Sequence, residues 1–216
     1  IGPCVIKRTR DSDSGRDVAI VDFKDGRDIE SGKSVKSIVE SMGGEWVCQE
    51  RVHQHESIDK IYPESVNTLR IVTYMTDQGV GACPVTLRIG QGGAKVDNAH
   101  AGGIFIYVDN DGYLGDEAFT EYQKRFIKHP DTEIPFKGRW IAGVPEAIEA
   151  VKRCHFAVSE LGFISWDVCV DEEGMPTLLE VNLVSQAVWM SQMASGLSMF
   201  GDDTPSVVKA YRRSAV

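Results

Sequence analysis

At 216 residues, with 42% hydrophobic and 25% charged side chains, the chain has ordinary globular composition and enough length for one domain or two small ones. A net charge of −9, with a pI near 5.1, argues against a nucleic-acid or anionic-membrane surface. No apolar run approaches the roughly 20 residues of a membrane span, and the start carries no signal-peptide pattern. The five cysteines (Cys4, Cys48, Cys83, Cys154, Cys169) are odd in number, lack C-x-x-C spacing and mostly sit inside apolar runs. They read as buried thiols in a reducing cytoplasm, not as disulfides or a zinc site. The opening Ile1-Gly2-Pro3 runs at once into a strand-like segment, which reads as a start partway through a longer protein.

In chain order, residues 4–7 and 18–23 are predicted strands around a polar linker. Val35, Ile38, Val39 and Met42 follow helical spacing from Ser34, and Gly43-Gly44 ends that helix. Trp46 to Gln49 is a further strand, and residues 66–75 and 80–89 are strands around the turn at 76–79. Residues 90–103 are glycine-rich, Ile104 to Val108 is a strand, and 115–143 look irregular. A helix is expected from Pro145 to Leu161, with Gly162 as its terminator. Two apolar runs, 166–170 and 178–182, then form a hairpin about the turn Asp171-Glu172-Glu173-Gly174. A Met- and Ser-rich stretch and a short helix at about 205–213 close the chain. Mainly antiparallel sheets with few helices indicate an α+β protein in two lobes.

Several polar residues stand out against this background. Asp167, Glu180 and Asn182 interrupt the two hairpin runs. Period-two alternation puts Glu180 and Asn182 on one face of their strand, and antiparallel pairing can bring Asp167 opposite. Two carboxylates and an amide oxygen on an apolar sheet repel one another unless a cation neutralises them, and hard oxygen ligands suit Mg²⁺. Strand polars that merely face solvent are the plain alternative.

Lys7 ends an apolar strand, where its ammonium is a point charge for a phosphate, and the Ser14-Gly15 turn beyond it offers backbone N–H groups. The turn lacks the G-x-x-x-x-G-K-[ST] pattern, so it is not a P-loop. Gln49, Glu50 and Val52 follow a strand at a point where backbone groups can pair an adenine edge and a carboxylate can reach a ribose. Arg70 and Arg88 lie inside apolar strands and require anionic partners, one of them as a possible structural cation. His100, in the polar loop Asp97-Asn98-Ala99-His100, is a candidate proton carrier or phosphate contact, or a residue that fixes the loop. His129 either reaches a substrate or braces the sheet. No Ser-His-Asp order, H-E-x-x-H or cysteine nucleophile motif is present, which argues against covalent catalysis by the protein.

Taken together, CVIKRTRDSDSG, WVCQERVHQH, SVNTLRIVTY, LRIGQGGAKVDNAHAGGI, HPDTEIPFKGRW and SWDVCV…LLEVN resemble the ATP-grasp superfamily in its sugar-transfer-associated branch, over almost the whole chain. The resemblance implies an ATP-grasp fold in which two α+β lobes with mainly antiparallel sheets hold ATP between them. Residues 1–53 would form the lid lobe, without the N-terminal subdomain of ATP-grasp ligases, and 54–216 the core lobe with the Mg-ATP site. It implies Asp167, Glu180 and Asn182 as Mg²⁺ ligands. Lys7, Ser14, Gly15, Gln49, Glu50, Val52 and Asn98 would be nucleotide contacts, and Arg70, Arg88 and His100 the residues at the reacting groups. The implied activity is a Mg-ATP-dependent carboxylate–amine or carboxylate–thiol ligase working through an acylphosphate in cell-envelope or exopolysaccharide sugar metabolism. Its partners would be ATP and a small carboxylate, with no nucleic acid and no membrane span. An ATP-grasp kinase acting on a hydroxyl and a non-catalytic nucleotide-binding module stay open as alternatives.

Overall fold

The computed structural model describes residues 3–9, 18–184 and 186–214. The chain divides into two compact units, Ile1–His53 and Gln54–Val216.

In the first unit, β1 (Cys4–Arg8) pairs antiparallel with β2 (Val18–Val21) on one side. A small β3–β4 hairpin (Phe23–Lys24 and Arg27–Asp28) comes next in the chain. It is followed by helix α1 (Val35–Met42) and by β5 (Trp46–Glu50), which pairs with the other side of β1. Alternation along β1 sends Cys4 and Ile6 to one face, where they meet Val21 and Ile38 in a small buried core. The helix begins where the Ser34 hydroxyl accepts the Ser37 N–H at 3.2 Å, and stops at Gly43, whose φ is 65°.

The second unit opens with the single turn α2 (Glu56–Asp59) and a long central strand, β6 (Leu69–Thr76). Then come β7 (Gly79–Ala82), β8 (Val85–Ile89), β9 (Ile104–Val108), β10 (Leu114–Phe119) and β11 (Arg125–Phe126). Helix α3 (Val144–Phe156) leads to the hairpin β12 (Phe163–Val170) and β13 (Pro176–Asn182), and α4 (Val188–Ser195) and α5 (Thr204–Ser214) complete the unit. The main sheet runs β11-β10-β9-β8-β6-β12-β13, with β7 also on β6, and every pairing is antiparallel.

Its two faces differ in chemistry. Leu69, Ile71, Leu87, Ile89, Ile104 and Ile106 project into one continuous core with Ile58, Ala147, Val151 and Trp166. The buried positions of α3 (Val144, Ala147, Val151 and His155) recur at helical spacing and cover that face. His155 is fully buried there: Nδ1 lies 2.6 Å from the Thr73 hydroxyl and Nε2 2.8 Å from the Leu161 carbonyl. The opposite face carries Arg70 and Arg88 at its centre. To one side of them, Met190 of α4 packs on Phe105 and Phe119; to the other, Met199 and Val207 pack on Val72 and Tyr74.

Three sequence expectations need correction. Residues 115–143 are not irregular throughout, because β10 and β11 extend the sheet there. Their signal is weak since Gly115, Asp116 and Glu117 interrupt the alternation where the register to β9 shifts. Helix α3 stops at Phe156, short of Leu161, and Ala157 rather than Gly162 caps it. Val158 and Leu161 still reach the core through a tight turn, so their spacing imitates more helix. The Met- and Ser-rich stretch contains α4, which starts from Ala187 at φ 52° with no side-chain cap, and so gives no start signal.

Candidate functional site

Strand register assembles the site. Thr86, Arg70, Asp167 and Glu180 stand side by side on four adjacent strands, β8, β6, β12 and β13. Directly opposed residues of an antiparallel pair share a face, so these four side chains leave the sheet on the same side. The next row holds Val72, Ser165 and Asn182. The hairpin thus brings Asp167, Glu180 and Asn182 together on the face that carries Arg70 and Arg88.

Asp167, only 5% exposed, is held by both arginines. Arg70 donates Nε to Oδ1 at 2.5 Å and Nη2 to Oδ2 at 3.0 Å, a side-on two-point pair. Arg88 donates Nη1 to Oδ2 at 3.0 Å and Nη2 to Asp97 Oδ1 at 2.5 Å. Asp97 in turn accepts the Thr68 N–H at 3.0 Å and the Thr68 hydroxyl at 2.5 Å. Two guanidiniums and two carboxylates therefore form one buried, charge-balanced chain. Burial alone would lower the Arg88 pKa, but the Asp97 and then the Asp167 carboxylate outweigh it and leave the guanidinium more firmly protonated than usual. Sequence reasoning missed Asp97. Two arginines in buried strands call for two carboxylates, and that charge balance was the available signal.

The three candidate cation ligands differ in readiness. Glu180 is exposed, and its carboxylate has no side-chain partner among the described residues. Asn182 is half-buried, with its amide nitrogen closed off and lacking a hydrogen-bond acceptor. Asp167 has three of its roughly four lone-pair positions taken by guanidinium N–H groups. Among the described residues no three His, Cys, Asp or Glu side chains converge as a metal nest, so a cation here would draw on two carboxylates and one amide. The donor set fits Mg²⁺, which takes few protein ligands and fills its shell with phosphate and water.

The other candidates belong to other elements than this row of strands. Asn98 spends its side-chain oxygen on the His100 N–H at 2.8 Å and so caps the short 3₁₀ turn Ala99–Ala101. His100 is exposed and places Nδ1 2.5 Å from Glu121, a partner the sequence did not indicate. His129 is a brace: fully buried, it stacks on Tyr62 at 5.1 Å and bonds the Gly90 carbonyl at 2.8 Å. Asn67 is likewise structural, since its amide ties Gln54, Tyr62, Ser65 and Gly90 together. In the first unit, Lys7 is half-buried on β1, opposite Val18 and Val47, while Gln49 and Glu50 are exposed at the end of β5 and Val52 follows half-buried. Ser14 and Gly15 lie outside the described residues.

Cysteine placement is divided. Cys4, Cys83 and Cys169 are buried as expected, whereas Cys48 and Cys154 are exposed, and all five are free thiols.

The chain matches the model of the sugar-transfer associated ATP-grasp family over residues 1–205, and it belongs to that family. No curated protein matches it. Among solved structures, an ADP complex of N5-carboxyaminoimidazole ribonucleotide synthetase is similar over 91% of this chain and 42% of that one, at 12% identity and a TM-score of 0.49. The corresponding synthetase from Thermotoga maritima is similar over 92% of this chain and 40% of that one, at 11% identity and a TM-score of 0.38. The chain thus spans about two fifths of the length of these two enzymes. Among the described residues no helix is long and apolar enough to cross a membrane.

Proposed function

We propose that the chain carries the Mg-ATP site of a cytoplasmic, ADP-forming ligase that joins a small carboxylate to an amine or thiol, in cell-envelope or exopolysaccharide sugar metabolism. Family membership supports ATP as the nucleotide. The observation that carries the reading is the row Arg70–Asp167–Glu180, with Asn182 one step along, on one sheet face. It sets fixed positive charge beside an exposed carboxylate, Glu180, and further oxygen ligands, as binding a polyphosphate together with a cation requires.

Glu180, Asn182 and Asp167 would hold Mg²⁺, which when bound would neutralise phosphate charge. Lys7, Ser14, Gly15 and Asn98 would contact phosphates, and Gln49, Glu50 and Val52 the adenosine. Arg70 or Arg88 would meet phosphate where the phosphoryl group is transferred, the other being a structural cation. An acceptor carboxylate oxygen attacks the γ-phosphorus, the bond to ADP breaks, and an acylphosphate forms. The amine or thiol then attacks the acyl carbon, inorganic phosphate leaves with the bonding electrons, and the nucleophile's proton passes to a base, for which His100 is the candidate. The absence of a nucleophile motif in the sequence supports direct attack on ATP.

The test is ADP release by the full-length protein against a panel of carboxylates, with hydroxylamine present. Acceptor-dependent ADP release with a trapped hydroxamate is expected. A stable phosphate ester without hydroxamate would transfer the reading to a kinase, and an absence of nucleotide binding would leave a non-catalytic module.

A further inference from the structure

Arg70 and Arg88 look equivalent in sequence, each a lone cation in an apolar strand, but the structure holds them differently. Arg88 spans two carboxylates. One nitrogen binds Asp167, another binds Asp97, and its Nε is buried with no partner and closed to any ligand. Asp97 is itself fixed by the backbone and side chain of Thr68. Arg88 therefore cannot rotate without breaking contacts at both ends of its fork. Arg70 has a single carboxylate partner among the described residues, Asp167, and presents Nε and Nη2 to it. Its Nη1 makes no hydrogen bond among the described residues and, unlike Arg88 Nε, is not among the buried orphan atoms.

We infer that the two arginines have separate roles: Arg70 contacts the terminal phosphoryl group of the nucleotide, and Arg88 is a positioning residue, locked by Asp97, that holds Asp167 in place. The inference rests on the Mg-ATP reading given above and goes beyond it by separating two residues which that reading treats alike. Were a cation to share Asp167, the one carboxylate contact that Arg70 has among the described residues would weaken, while Arg88 would keep Asp97. The arginine released toward an incoming oxyanion is then Arg70. Asp97 belongs to the same device although it touches no ligand.

The experiment compares Arg70→Lys, Arg88→Lys and Asp97→Asn by calorimetric titration with Mg·ADP and Mg·AMP-PNP, alongside thermal melting. A lysine in place of Arg70 loses the two-point fork, so AMP-PNP affinity falls about tenfold or more relative to ADP. Arg88→Lys and Asp97→Asn lower the melting temperature but leave the AMP-PNP to ADP affinity ratio within about twofold of wild type. Their double variant melts less than additively, because both break one contact. An unchanged ratio in Arg70→Lys overturns the inference by itself, even if the Arg88 variants fail to fold. A ratio that moves with Arg88→Lys instead assigns the roles the other way round. Wild-type protein that binds neither nucleotide is a different outcome: it removes the nucleotide reading, and the inference with it.

Discussion

Asp167 and Glu180 are directly opposed on β12 and β13, yet one is buried under three guanidinium hydrogen bonds and the other is exposed. Two carboxylates on neighbouring strands thereby take on different chemistry: Asp167 has its charge compensated within the protein, whereas Glu180 keeps its charge for something from outside. That contrast sets the first two predictions.

Glu180→Gln removes an exposed charge with no side-chain partner among the described residues, so stability should change by less than about 0.5 kcal/mol. Binding should respond strongly. A divalent cation loses one of its charged ligands, and the affinity for Mg·ATP is expected to fall by an order of magnitude or more. Calorimetry of wild type and variant checks this, and equal affinities would remove Glu180 from the cation site.

Asp167→Asn strips Arg70 of its carboxylate and leaves Arg88 with Asp97 alone. Leaving buried charge uncompensated costs about 3 kcal/mol. For a chain of this length that corresponds to a melting point lower by roughly 6–12 °C. Melting curves of Asp167→Asn and Glu180→Gln, recorded side by side, should therefore diverge although the two residues are cross-strand neighbours.

Gly103→Ala tests the loop that delivers Asp97. A Cβ at Gly103 would sit 2.5 Å from the Asp97 carbonyl oxygen and 2.9 Å from that of Asn98, both backbone atoms that cannot swing aside. The loop has to shift, at a cost of about 1–3 kcal/mol. Because Asp97 anchors Arg88, the variant should melt earlier and also exchange the amide of Thr68 faster, which hydrogen exchange would detect. Wild-type exchange at Thr68 would uncouple the loop from the ion chain.

The buried thiols give stability an alkaline limit. Burial pushes Cys83 up to about 12; burial, then the Asp171 and Asp97 charges, push Cys169 up to about 12, against an ordinary value of 9.0. The folded pKa is raised, so the unfolded chain releases these protons first, and the stabilisation present below about pH 9 is lost as pH climbs toward 12. Each thiol contributes a slope of about 1.4 kcal/mol per pH unit in that window. Urea unfolding between pH 9.5 and 11 should show a shallower decline in Cys83→Ala than in wild type. Equal slopes would mean that Cys83 ionises freely in the fold.

The sequence revealed those parts of the fold where a single period dominates. The hairpin of β12 and β13 and the strand around Arg70 were legible, because apolar alternation and turn residues act locally. Strand β10 was not, since its pairing depends on a register shift that only β9 defines. Helix α4 was hidden because its apolar face answers Phe105 and Phe119, residues far away in the chain. At the site, period-two spacing already put Glu180 and Asn182 on one face, while the register that sets Asp167 opposite Glu180 came from the strand pairing. What the spacing lacked was the identity of their neighbours. That Asp97 belongs to Arg88 is a tertiary fact with no local period, and the pairing of His100 with Glu121 is of the same kind.

The uneven burial of the cysteines has a practical outcome. Each compact unit contains one thiol open to reagent, Cys48 in the first and Cys154 in the second, beside thiols that are shut away: Cys4 in the first, Cys83 and Cys169 in the second. An alkylating label applied to the native protein should stop at two adducts, and any third must wait for an opening event. Which cysteine acquires it, read by peptide mass, tells which unit opened. Without any added probe, the chain thus carries a separate clock for the loosening of each of its units.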